Sequence, residues 1–153
     1  MKNQVLLREK NFDLEKFEKK MICDGTEAVV TYFEPVKKKR EGVEVKHLEV
    51  GSYEMTTRNG MVKVKNQVND RFDIDHVVII QRVGVFEPGE KLRGVLVSAP
   101  KRGEAVEALG VCLELFETHV PLQKKVVTVE GREYWVQRDD DLMELYGQVA
   151  EDL

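Results

Sequence analysis

Residues Val77 to Ile80 read V-V-I-I, four β-branched apolar residues in a row. A strand alternates its side chains between two faces, so an unbroken apolar run needs cover on both. That makes this segment a central strand. Turn residues Glu87-Pro88-Gly89-Glu90 follow, and then a second such strand, Leu92 to Ser98. Pro100 to Glu104 next opens a helix with an apolar stripe of Ala105, Leu109, Cys112, Leu113 and Phe116. Two buried strands and an amphipathic helix in direct succession demand a layered core of sheet and helix, of the α+β or α/β class.

The remaining segments fit that class. Gln4 to Arg8 reads as a short strand, and Asp13 as the N-cap of a helix carrying Leu14, Phe17 and Met21, ended by Asp24-Gly25. Ala28 to Phe33 is a β-rich run stopped by Pro35. Lys37 to Gly42 reads as a charged loop, and Val43 to Val50 alternates as a half-buried strand does. Tyr53 to Phe72 is ambiguous. Asn59-Gly60 signals a hairpin, whereas Met61, Val64, Val68 and Phe72 lie at helical spacing. Pro121 stops the amphipathic helix, Lys125 to Val129 and Glu133 to Val136 form a hairpin around Glu130-Gly131, and Leu142 to Leu153 reads as a short acidic helix. The expected organisation is one domain over residues 1–153.

Charge and motifs exclude several functions. The net charge of −4 gives no global drive toward nucleic acid or an anionic membrane, so any anion site must be local. No stretch reaches the ~18 apolar residues of a membrane helix. Cys23 and Cys112 have no knuckle spacing, and His47, His76 and His119 have no helical ligand spacing, so no metal is expected. No dinucleotide fingerprint, phosphate loop or nucleophile elbow is present, and no cofactor is expected. A reducing, cytoplasmic setting is the default expectation.

Three places hold chemical promise. Lys101 and Arg102 precede a helix whose free N–H groups favour an anion. Lys124 and Lys125 follow that helix. On a strand they face opposite sides, so one of them can enter a pocket, where a lysine can act as acid, base, nucleophile or fixed cation. Lys37 to Arg40 is a solvated loop or a basic lid.

The order of these pieces resembles the large, catalytic subunit of molybdopterin synthase. The matching pieces are Gln81-Arg82-Val83-Gly84, Pro88-Gly89-Glu90, Ser98-Ala99-Pro100-Lys101, Pro121-Leu122-Gln123-Lys124-Lys125 and Trp135-Val136, with looser matches at Phe33 to Lys38 and at Tyr53 and Met55. The resemblance tips Tyr53 to Phe72 toward helix. It implies an α+β fold, an α/β hammerhead-like domain with an additional small antiparallel β subdomain. It also implies a homodimer, and a heterotetramer with a small ubiquitin-like sulfur-carrier subunit whose C-terminal Gly-Gly thiocarboxylate enters the pocket. Two sulfurs would pass to a cyclic pyranopterin monophosphate precursor.

By the same resemblance Lys124 takes the place of the second catalytic lysine and Lys125 the next basic position. Lys101 and Arg102 stand for the anion-binding pair, and Lys38 for an arginine at the phosphate. The first catalytic lysine falls on Glu117, a reversal of charge. Pro100, Gln123, Val126 and Pro35 also depart from the family pattern. A carboxylate at Glu117 is expected to raise the pKa of a nearby lysine and keep Lys124 a fixed cation. The alternative implied function is a member that kept the fold, lost sulfur transfer and binds a pterin, a phosphate or a ubiquitin-like tail.

Overall fold

The computed structural model describes residues 3–136 and the backbone of 142–144. The elements are β1 (Gln4–Arg8), α1 (Leu14–Lys20), β2 (Ala28–Pro35), β3 (Lys39–Arg40), β4 (Val43–Ser52), α2 (Glu54–Arg71), β5 (His76–Arg82), β6 (Gly84–Phe86), β7 (Lys91–Ala99), α3 (Arg102–His119), β8 (Leu122–Thr128), β9 (Glu133–Val136) and β10 (Leu142–Glu144). They build two sheets. The first has the order β1-β5-β7-β2, with β1 parallel to β5 and the other pairs antiparallel. The second runs β10-β9-β8-β4-β3, with β6 also paired to β4. The α+β class expected from the sequence holds.

The V-V-I-I run is buried on both faces, as its pattern requires. Val77 and Ile79 pack with Met61, Val64 and Val68 of α2 and Ala105, Cys112 and Phe116 of α3. Val78 and Ile80 point the other way, onto Phe12, Met21 and Leu96. Full burial of each such side chain is worth about 1.5–3 kcal/mol. The Phe12 ring lies so close to Gly94 that a Cβ there would sit 2.7 Å from it, so only glycine lets α1's flank close on β7. The second sheet has its own core of Val36, Val45, Leu48, Val50, Phe86, Leu92 and Val126.

The ambiguous segment is helix α2, and its Gly60 explains the mixed signal. A Cβ at Gly60 would collide with the His119 carbonyl, so this glycine serves close helix packing rather than a hairpin turn. Asp13 caps α1 as expected, its carboxylate accepting from the Glu15 N–H at 3.1 Å.

Two expectations change. Lys37 to Gly42 is not wholly a loop. Lys39 and Arg40 pair with Glu44 and Val43, and Glu41 (φ 50) and Gly42 (φ 77) form the two-residue turn between them. Arg40 is buried. The expected C-terminal helix begins instead with a strand, since Leu142–Glu144 pairs with Val136 to Tyr134. The rest of that expected helix lies outside the described residues.

Candidate active site

Strand β8 enters the second sheet directly after α3, and its start is fixed by α2. The buried Thr57 hydroxyl donates to the Pro121 carbonyl at 2.7 Å and accepts from the Tyr53 N–H at 3.0 Å. Gln123 donates to the Tyr53 hydroxyl at 2.7 Å. Lys124 then pairs with Val50, and Lys125 with Glu49. Strand alternation separates the two lysines. Lys124 shares the inner face with buried Val126 and Thr128. Lys125 lies on the other face, with its ammonium 3.3 Å from Glu133 and 3.5 Å from Glu49.

Their environments push their pKa values apart. Desolvation is the largest single influence on Lys125 and lowers its pKa, but its hydrogen bond to Glu133 and the charges of Glu49 and Glu133 together outweigh it and hold the ammonium above its ordinary value. Half-buried Lys124 goes the other way. Desolvation lowers its pKa most, Arg93 and Arg40 lower it further, and Glu34 and Glu117 oppose them. Glu117 does pull Lys124 upward, as the sequence suggested, yet burial and Arg93 prevail. The net direction is thus downward, opposite to the rise that the sequence suggested. Lys125 lies on the other face, so the buried side of β8, with Lys124 among the charges of Arg93, Arg40, Glu34 and Glu117, is the candidate acid–base site.

Arg93 is the centre of the cluster. It projects from β7 and is only 2% exposed, so its charge must be compensated in place. Its Nε donates to Gln81 Oε1 at 2.7 Å, and Gln81 in turn donates to the Arg82 carbonyl at 2.8 Å. Its Nη1 donates to Glu117 Oε1 at 3.1 Å and stands 3.6 Å from Glu34 Oε1. The guanidinium stacks 3.8 Å from the centre of the Phe116 ring. The Tyr32 hydroxyl donates to Glu34 Oε1 at 3.1 Å, and burial together with Glu34 pushes its pKa up to about 12.

The other sequence candidates are dispersed. Lys101 and Arg102 are exposed at the start of α3, where Arg102 lies 3.7 Å from Glu27. Fifteen helical residues separate Arg102 from Glu117, roughly 22 Å along the axis, so the pair does not reach Lys124 within one chain. Lys38 is exposed between β2 and β3, and its carbonyl accepts from the Val45 N–H at 2.8 Å. Arg40, two residues on, is the cation whose field reaches Lys124. Sequence reasoning missed Arg93, Glu34, Tyr32 and Gln81. One signal was available: Arg93 is a charge inside the otherwise apolar run from Leu92 to Val97, a position that requires a buried partner.

Two sheets, a helix pair covering one of them and a lysine set beside buried charges define an α+β protein with a candidate acid–base or anion-handling cluster. The family model described as MoaE protein matches residues 7–118. The molybdopterin synthase catalytic subunit of Pyrococcus abyssi is 30% identical over 138 residues, 90% of this chain and 93% of the relative. That of Yersinia pestis is 30% identical over 119 residues, 78% and 79% of the two chains. The crystal structure of molybdopterin synthase from Staphylococcus aureus superimposes with a TM-score of 0.80 at 21% identity, covering 87% of this chain and 96% of that one. A complex of subunits 1 and 2 of the molybdopterin-converting factor from Helicobacter pylori shares the fold, with a TM-score of 0.69 at 13% identity over 92% and 89% of the chains. The chain belongs to the MoaE family, whose curated relatives here are molybdopterin synthase catalytic subunits.

Proposed function

We propose that this chain is the catalytic subunit of a molybdopterin synthase. It transfers sulfur from the C-terminal Gly-Gly thiocarboxylate of a small ubiquitin-like subunit to cyclic pyranopterin monophosphate, in molybdenum cofactor biosynthesis. The observation that carries this reading is a family likeness spanning 90% of the chain, joined to a half-buried lysine near the start of β8.

In this reading Lys124 works next to the reacting tail. Its lowered pKa gives it a larger neutral fraction than an ordinary lysine, which suits proton transfer at the sulfur donor or the precursor. Its protonated form stabilises the anion formed when the thiocarboxylate carbon or the pterin is attacked. Lys125, bound between Glu49 and Glu133, stays a cation and sets the outer wall of β8. Lys38 is a flanking cation for the phosphate. Lys101 and Arg102 cannot share a ligand with Lys124 in one chain, so in the proposed homodimer only the other protomer's pocket is open to them. The small subunit, the heterotetramer and a cytoplasmic location belong to the same proposal. The Helicobacter complex of two subunits supports the small partner.

A second reading has its own observation. Glu117 is two-thirds exposed and puts a carboxylate beside the Lys124 cluster, which favours a member that binds a pterin, a phosphate or a ubiquitin-like tail without sulfur transfer. The two are separated by incubating the chain with a thiocarboxylated small subunit and the precursor, as wild type and as Glu117→Lys. A wild type that converts precursor at a rate comparable to the lysine variant supports the synthase. Conversion by the variant alone supports the binding protein.

A further inference from the structure

We propose that Arg93 is a positioning residue for Lys124. From β7 it supplies a fixed buried positive charge to the cluster and ties up Glu34 and Glu117, so that an anionic substrate can approach the lysine. The inference rests on the function proposed above.

The geometry gives Arg93 no freedom to do anything else. Gln81 fixes Nε at 2.7 Å, Phe116 fixes the guanidinium plane at 3.8 Å, and Nη1 lies between Glu117 at 3.1 Å and Glu34 at 3.6 Å. At 3% side-chain exposure it cannot touch a ligand itself. The charged groups acting on Lys124 come from four elements: Glu34 of β2, Arg40 of β3, Arg93 of β7 and Glu117 of α3. Tyr32 of β2 adds a hydroxyl that donates to Glu34. Without Arg93, Glu34 and Glu117 would turn their full charge on Lys124 and on any incoming phosphate or thiocarboxylate. The carboxylate at position 117, read from sequence as a defect, is in space one half of an ion pair. The cation that the family resemblance places on the helix stands on the neighbouring strand instead.

The test reads Lys124 directly, without needing turnover. Trace acetylation with acetic anhydride across pH, followed by peptide mass spectrometry, reports the neutral fraction of the amine. Arg93→Leu should slow Lys124 labelling at about pH 8 by about tenfold, as a rise of one pKa unit does. Arg93→Lys keeps the charge and should stay within about threefold of wild type, and Glu117→Gln should speed labelling by about threefold, each less than the tenfold of one unit. Lys124 labelling unchanged in a folded Arg93→Leu overturns the proposal. If that variant does not fold, unchanged labelling in Glu117→Gln overturns it. The conversion assay is run on the same samples. A wild type that does not convert, with labelling that still shifts, refutes the synthase reading and leaves the role of Arg93 standing. An active wild type with unshifted labelling refutes only the role of Arg93.

Discussion

Arg93 Nη1 and Glu117 Oε1 meet at 3.1 Å, although 24 residues separate them in the chain. The contact joins β7 to the last turns of α3 and places a buried guanidinium under an exposed carboxylate. It sits beside β8, so the ionisation of Lys124 depends on both partners. A surface ion pair contributes little, but one with a buried member is costly to break from either side.

Lys124→Ala should lower precursor conversion by about 100-fold or more, the scale of removing a positioned acid–base group. Circular dichroism and the melting temperature should remain close to wild type. Lys125→Ala should cost far less, because Lys125 faces away and is bound by two carboxylates.

The lowered pKa of Lys124 has a defined effect on stability. Between its folded value and 10.5 the unfolded chain holds the proton more tightly, so this group makes stability rise with pH across that window. Lys125, raised, contributes stability below 10.5 that is lost as pH climbs through its folded value. Urea titrations should therefore show wild type gaining on Lys124→Met as pH rises toward 10.5. A difference that is flat with pH contradicts the burial of a charged amine.

Gly60→Ala should destabilise the protein by about 1–3 kcal/mol, the usual cost of forcing atoms into a packed contact. The new methyl must push the α2 backbone away from His119 and shift the start of β8. Thermal melts give the stability, and conversion assays give the effect on Lys124.

The two cysteines should differ sharply in reactivity. Cys23 is exposed, whereas Cys112 is fully buried and its thiol is pushed up to about 12 by desolvation. Native protein should react with one equivalent of a disulfide reagent, and denatured protein with two. Two fast thiols in the native state would contradict the packing of α3.

Most of the scaffold was legible because its signals are local. The V-V-I-I run, the Asp13 cap, the α3 stripe and the Gly131 turn each follow from neighbouring residues. Gly60 was not, because its reason lies on another helix. Arg40 was read as part of a loop because its two-residue strand is formed only by pairing across a turn. At the site, Lys124, Glu117 and the upward pull of one on the other could be read along the chain, but the buried Arg93 that pairs with Glu117 could not. The net direction of the Lys124 shift depends on Arg93 and on desolvation, both set by strands far away in sequence.

The central claim is sulfur transfer at Lys124, and single-turnover conversion of cyclic pyranopterin monophosphate by the wild-type chain loaded with a thiocarboxylated small subunit tests it most directly. Wild type should yield dithiolene product, and Lys124→Ala should lose about 100-fold in rate. A folded, partner-bound wild type that yields no product, or a Lys124→Ala chain that converts as fast as wild type, would contradict it.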